Sequence, residues 1–224
     1  LIMAAGAALA SESVTEPLQC LRRPAVDEAL IDLRLTGLDQ RGKRSVSNLR
    51  VHYVSSDKII RLTVEPAGEQ SQTSSFCLEC GPTAPPQPCR NGAGVFPGSS
   101  KNRIAGTVLP WHVLTDWLCL SFKAEKHDAK SDNEVEVYEI LPEGPSGWPE
   151  NGKRLVYVSR ITGEPQRIES YNRRNNLTAS IQILEVRTTI WGQGIVRSIY
   201  MEPETKLRVL IEVVSGSASM PREE

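Results

Sequence analysis

The cysteines are the residues whose type and spacing come closest to a chemical site. Cys77 and Cys80 form a Cys-x-x-Cys pair, and Cys89 follows nine positions later. A structural zinc site needs four ligands in a tetrahedral arrangement, and no fourth Cys or His lies close by in the sequence. A redox-active pair belongs in a βαβ context, which the surrounding sequence does not predict. We favour a structural disulfide among these three residues, with unpaired thiols and a metal or redox site as the alternatives.

Two further cysteines, Cys20 and Cys119, bring the number to five. In an exported protein an odd number leaves at least one cysteine unpaired. Cys20 and Cys119 either pair with each other or stay buried as small apolar residues.

The histidines do not suggest a catalytic site. His52, His112 and His127 lie far apart in different sequence contexts, so no Ser-His-Asp or Cys-His arrangement can be assembled from them. We predict no catalytic residue, no enzymatic activity and no cofactor.

Acidic residues are concentrated in one stretch, where they raise the question of a calcium site. Glu134, Glu136 and Glu139 follow Asp128 and Asp132, without the spacing of an EF-hand loop. Glu134 and Glu136 share one face of a predicted strand, so a solvated strand face is the interpretation that we favour. We predict no metal site.

Composition favours one soluble domain that does not bind nucleic acid. The chain has 224 residues, of which 39% are hydrophobic and 24% are charged, and its net charge is -1. Only 5% are aromatic, and no basic surface stripe is indicated. A chain of this length can bury a full core as a single domain.

The first ten residues differ from the rest of the chain. They are small, apolar and uncharged, and they end in Ala8-Leu9-Ala10. This pattern is typical of the end of a secretory signal peptide, with a short buried helix as the alternative. We therefore expect a signal-peptide remnant over 1–10, one domain over 11–214, a disordered tail over 215–224, and a periplasmic location.

Most of the chain alternates apolar and polar residues with the period of a half-buried β-strand. The pattern predicts strands at Ala29–Leu35, Leu49–Tyr53, Ile60–Val64, Val135–Ile140, Leu155–Arg160, Arg167–Tyr171, Leu177–Val186, Ile195–Met201 and 207–213. Consecutive strands joined by short turns usually pair as neighbours. The predicted fold is therefore mainly β (α+β), with one strongly curved antiparallel sheet.

Helical signals are few, and they would cover the sheet. Residues 11–25 fit one short helix between Pro17 and Pro24, and 109–122 has helical spacing that begins near Pro110. We expect long loops over 81–98 and 123–133. A sheet with so little helix either packs its apolar face fully or leaves part of that face open to a ligand.

Three segments together resemble the periplasmic outer-membrane lipoprotein-sorting family, the Lol-type carriers. The first is Arg103-Ile104-Ala105-Gly106-Thr107, which runs into a Trp- and Leu-rich stretch. The second is Thr162-Gly163-Glu164-Pro165-Gln166-Arg167-Ile168-Glu169-Ser170-Tyr171. The third is Trp191-Gly192, which precedes Ile195–Met201 and the last alternating strand. The resemblance spans roughly residues 27–214.

The resemblance implies a half-barrel with one or two short covering helices, and a carrier that binds lipid or lipoprotein acyl chains for transport toward the outer membrane. The alternative is a non-catalytic envelope sensor or assembly domain. We expect a monomer that also meets membrane-bound envelope proteins. The candidate ligand-binding residues are the apolar strand faces and the predicted lid: Leu33, Leu35, Val51, Tyr53, Leu62, Val64, Trp111, Leu114, Trp117 and Leu118.

Overall fold

The computed structural model describes residues 16–21, 26–56, 59–66, 76–80, 87–89, 103–104, 107, 109–110, 113, 122–142, 152–190 and 192–219. Two 3₁₀ helices are present in this part of the chain, η1 (Glu16–Leu21) and η2 (Asp128–Lys130). The strands are β1 (Glu28–Leu38), β2 (Arg44–Ser56), β3 (Ile59–Pro66), β4 (Phe76–Cys80), β5 (Gln87–Pro88), β6 (Phe122–Lys126), β7 (Val135–Pro142), β8 (Lys153–Ser159), β9 (Pro165–Tyr171), β10 (Leu177–Thr189), β11 (Gly192–Glu202) and β12 (Leu207–Ser219).

All twelve strands form one antiparallel sheet, in the order β5-β4-β3-β2-β1-β12-β11-β10-β9-β8-β7-β6. The last strand, β12, lies in the middle of the sheet, where it pairs with β1. This pairing joins two meanders into one surface. The sheet ends in β5 on one side and β6 on the other, so it is open. The curved half-barrel architecture predicted from the sequence is confirmed.

Alternation along most of the strands gives the sheet one continuous apolar face. In β1, Leu33 and Leu35 are buried while Arg34 between them is exposed. In β12, Leu207, Val209 and Ile211 are buried in the same alternation. The predicted strands are therefore present, each extended by a few residues, because the backbone pairing continues beyond the apolar positions that revealed them.

Tight turns join several of the strands. After β1, the Asp39 carboxylate accepts hydrogen bonds from the backbone N–H groups of Arg41 and Lys43, at 2.8 and 2.9 Å. Gly42 has φ of 75° there, and Gly163 has φ of 70° in the β8–β9 turn. Such left-handed conformations favour glycine, which has no Cβ.

The prediction of a surface loop over 123–133 is wrong for part of that range. Phe122 begins β6, although the helical spacing had assigned it to a helix, and η2 follows at Asp128. Lys123 and Glu125 are exposed, whereas Ala124 between them packs against the core. The charged residues therefore lie on the solvent side of an edge strand. Such a strand has the same composition as a charged loop, which is why the prediction failed.

The prediction of a disordered tail from residue 215 is also wrong for its first five positions. Residues 215–219 continue β12 and pair with β1, with Ser219 opposite Glu28. Their small polar side chains carry no apolar alternation, so only the pairing with β1 reveals the strand.

Outside the described residues lie the proposed signal-peptide remnant and most of the helix predicted over 109–122. The short helix predicted within 11–25 is present as η1. No helix among the described residues is long and apolar enough to span a membrane.

Candidate functional site

The six strand residues predicted to line a binding site lie together on the apolar face. They come from three adjacent strands, and the register pairs Val51 with Val64 and Tyr53 with Leu62. Each is at most 6% exposed, and all six belong to one hydrophobic cluster. We call this surface the inner face. The six residues are Leu33, Leu35, Val51, Tyr53, Leu62 and Val64.

The inner face extends across strands that the sequence analysis did not assign to the site. Three buried residues lie opposite one another on adjacent strands: Val156 of β8, Ile168 of β9 and Ile181 of β10. Tyr200 of β11 and Val209 of β12 continue this row toward β1. The alternation in these strands was visible in the sequence. What the sequence could not show is that β12 returns beside β1 and makes both halves one surface.

The helix η1 covers part of the inner face near β11. Leu18 and Leu21 are 1% and 4% exposed, and both belong to the same cluster as the sheet. Between them, Cys20 is a buried free thiol. Burial raises the pKa of Cys20 to about 12, so its reactive thiolate form is rare at neutral pH. These three residues are the described part of a lid.

A second covering element is the short loop that contains Ile104 and Leu109. Both side chains are buried in the cluster, and Ile104 N–H donates to the carbonyl oxygen of Leu109 at 2.9 Å. The Thr107 hydroxyl donates to the carbonyl oxygen of Ile104 at 3.0 Å and accepts from Leu109 N–H at 3.1 Å. Ile104 and Thr107 belong to the Arg103–Thr107 motif, so the motif supplies part of the turn that places Ile104 and Leu109 against the sheet.

The remaining predicted lid residues are not tested. Trp111, Leu114, Trp117 and Leu118 lie outside the described residues, although Val113 beside them is buried in the cluster.

A polar cluster borders the inner face where β7 begins. Glu136 accepts hydrogen bonds from the Tyr138 hydroxyl at 2.7 Å and from Lys126 Nζ at 2.9 Å. Arg160 lies 3.1 Å from the same carboxylate. These donors lower the pKa of Glu136, led by the Tyr138 hydrogen bond. Burial, followed by the bond to Glu136, raises the pKa of Tyr138 to about 12.

A matching arrangement lies at the opposite border of the inner face. The Tyr200 hydroxyl donates to Glu202 at 2.9 Å, and the Thr205 hydroxyl donates to the same carboxylate at 2.6 Å. Arg103 lies 3.7 Å from Glu202. At both borders a buried tyrosine therefore has its hydroxyl group satisfied by a carboxylate of its own strand, and the side chain presents mainly its ring to the interior.

The outer face carries a separate polar cluster around Glu169. Its carboxylate accepts hydrogen bonds from the hydroxyls of Tyr157 and Tyr171, both at 2.6 Å. Arg167 lies 3.3 Å from the carboxylate and over the Tyr157 ring. Burial raises the pKa of Glu169, but the two hydroxyl donors and Arg167 outweigh it, so the pKa is lowered overall. These contacts hold β8 and β9 together on the side away from the apolar cluster.

The cysteines form disulfides, as the sequence analysis favoured. Cys77 is bonded to Cys89, with a Cα–Cα distance of 5.4 Å, and Cys80 is also disulfide-bonded. The Cys-x-x-Cys residues therefore do not bond to each other, and the alternative of free thiols at these positions is wrong. The option that Cys20 pairs with Cys119 is wrong as well, because Cys20 is free.

The remaining candidates for chemistry are dispersed. His52 Nε2 lies 2.6 Å from Glu28 on the outer face, and His127 precedes η2. Among the described residues, no three His, Cys, Asp or Glu side chains converge on a point where a metal ion could bind.

The fold of this chain, but not its sequence, has counterparts among known proteins. No family model matches the sequence, and no curated protein matches it. Among solved structures, a domain named for outer membrane lipoprotein sorting, from Vibrio parahaemolyticus, matches with a TM-score of 0.65 and 11% identity, over 92% of this chain and 91% of that one. A LolA superfamily protein from Nitrosomonas europaea matches with a TM-score of 0.60 and 14% identity, over 96% of both chains.

The chain shares its fold with both of these proteins. A DUF1329 family protein from Desulfovibrio piger shares it, with a TM-score of 0.56 and 8% identity over 88% of both chains. Identities this low show a common fold and nothing finer. The resemblance seen in three short sequence segments is confirmed at the level of the fold, over nearly the whole chain.

Proposed function

We propose that the protein is a non-catalytic periplasmic carrier that binds lipid or lipoprotein acyl chains on its inner face, for transport toward the outer membrane. The observation that carries the proposal is the apolar inner face itself, which runs across both halves of the sheet beneath small covering elements. One of the structures that share the fold is named for outer membrane lipoprotein sorting, which agrees with an acyl-chain ligand.

The energetics suit a carrier that does no chemistry. Each buried CH₂ group contributes about 0.8 kcal/mol, so a single long acyl chain supplies ample affinity. Loading requires that a covering element moves, since Val51, Tyr53 and Leu62 are fully buried. The 3₁₀ helix η1 is the candidate for that movement, because it is short and contacts the sheet mainly at β11.

Native mass spectrometry with lipid extraction tests the proposal on the full chain exported to a bacterial periplasm. We expect a co-purifying acyl lipid and uptake of a fluorescent fatty-acid probe. Leu62→Glu places a charge on the inner face and should abolish uptake, because a buried unpaired carboxylate opposes apolar ligands. The matched control is Thr63→Glu, which adds the same charge to the outward side of the same strand and should keep uptake.

Folding of each variant is checked by circular dichroism. If Leu62→Glu does not fold, Ala124→Trp replaces it: Ala124 is half-buried at the edge of the inner face, where a larger side chain would fill ligand space. A protein that purifies without lipid and takes up no probe would refute the carrier. That result would indicate that the protein's own side chains fill the core. It would favour the alternative of an envelope sensor or assembly domain.

A further inference from the structure

The sheet divides between β11 and β12. These strands pair from Glu202 opposite Leu207 down to Arg197 opposite Glu212. Beyond that level, 192–195 pair with β10 alone, and Val213 and 215–219 pair with β1 alone, within the described chain. Two strand edges therefore have no pairing partner on this side among the described residues, and we call the space between them the slot.

Irregularities in three strands coincide at the level where the slot begins. The register skips Leu184 in β10, Val196 in β11 and Val214 in β12. A bulged residue bends its strand and increases the local twist. Bulges at one level on three consecutive strands coincide with the end of the β11–β12 pairing, so the backbone itself accounts for where that pairing stops.

Both edges of the slot lack the features that usually protect an unpaired strand. Exposed edges are commonly blocked by Lys, Pro or other charged residues. The β11 edge reads Gly-Gln-Gly-Ile-Val over 192–196, and the β12 edge reads Val-Val-Ser-Gly-Ser-Ala-Ser over 213–219. Neither contains a charge or a proline. Val214 is 56% exposed, and the three residues after it are exposed too.

We propose that the slot accepts an extended peptide segment of a partner protein, which pairs by its backbone with both edges and completes the sheet. Because β11 and β12 are antiparallel, the added strand runs antiparallel to one of them and parallel to the other. Its inward side chains meet Ile195 and Val213, which are half-buried against the core, so alternate positions of the partner segment are apolar.

Complementarity of the backbone groups is what selects this occupant. Beyond the bulged residues Val196 and Val214, each edge offers backbone N–H and C=O groups, and a second strand is the structure that satisfies both rows at once. The uncharged rim admits a segment without charges at its centre. The slot is therefore distinct from the inner face proposed for acyl chains, and its occupancy does not depend on lipid binding.

Hydrogen exchange with a defined probe tests the slot on the full-length protein. The probe is the capped hexapeptide Lys-Val-Thr-Val-Thr-Lys at millimolar concentration. The control peptide has the same sequence with Pro in place of the central Thr. In the free protein, alternate amides of 192–196 and 213–219 should exchange fast, because they have no strand partner among the described residues. The Val-Thr peptide should slow them at least about tenfold, and the Pro peptide should not.

Variants that block the edges supply the specificity control. Gln193→Lys with Ser217→Lys places charge at both edges and should abolish the protection. Gln166→Lys with Gln182→Lys adds the same charge to exposed positions on β9 and β10, which have neighbours on both sides, and should leave protection intact. Slow exchange at both edges in the free protein, or protection that is absent or survives the edge variants, would overturn the proposal.

Discussion

Truncation of Leu18 is the sharpest test of whether η1 opens by itself. Leu18 is 1% exposed, and replacing a buried leucine by alanine costs about 2–5 kcal/mol. If η1 lifts from the sheet while the strands remain folded, this cost falls on the closed lid alone. Each 1.36 kcal/mol is a factor of ten in an equilibrium, so Leu18→Ala should raise the population of the open lid roughly 30-fold to several-thousand-fold.

The thiol of Cys20 reports this opening directly. It lies between Leu18 and Leu21 on η1, and burial raises its pKa to about 12, so a thiol reagent reaches it only when the lid is open. The assay measures alkylation of the Cys20 peptide by mass spectrometry over time at neutral pH. Leu18→Ala should accelerate alkylation by the factor given above.

The control is Leu78→Ala on β4, a strand well separated from β11 in the sheet. Leu78 is fully buried, so its truncation lowers the free energy of unfolding by a similar amount. A lid that opens locally would leave Cys20 alkylation unchanged in this variant. If Leu78→Ala accelerates alkylation as much as Leu18→Ala does, η1 opens only when the whole sheet unfolds, and it does not gate the inner face.

Further predictions concern the Cys77–Cys89 disulfide, Gly152 and the Glu136–Tyr138 pair. Replacing Cys77 and Cys89 by Ala should lower the free energy of unfolding in urea by about 2–3 kcal/mol, because the bond closes a short loop. Gly152→Ala should be strongly destabilising in thermal melts, since a Cβ there would overlap a backbone carbonyl of β9. The lowered pKa of Glu136 contributes stability that is lost below pH 4.5, as the carboxylate becomes protonated in the folded state. The raised pKa of Tyr138 contributes stability that is lost between pH 10 and about 12, and Tyr138→Phe should reduce the alkaline loss of stability in a pH series of urea melts.

The sequence alone determined most of the strands and the side chains that they bury. Leu33 and Leu35 alternate with charged residues, and that period defines a half-buried strand whatever its neighbours are. Local chemistry likewise determined the turns at Gly42 and Gly163, where the backbone needs φ above zero. The inner-face residues of β1, β2 and β3 could be named for the same reason.

Only the tertiary structure decided how these strands assemble. The strand residues 215–219 lack the apolar alternation of the preceding part of β12, so they belong to a strand because the backbone of β1 pairs with them. Bulges at Leu184, Val196 and Val214 are likewise properties of register between strands. The pairing of β12 with β1 joins residues nearly the whole chain apart. Contacts at that separation depend on the packing of the complete sheet, which no local pattern encodes.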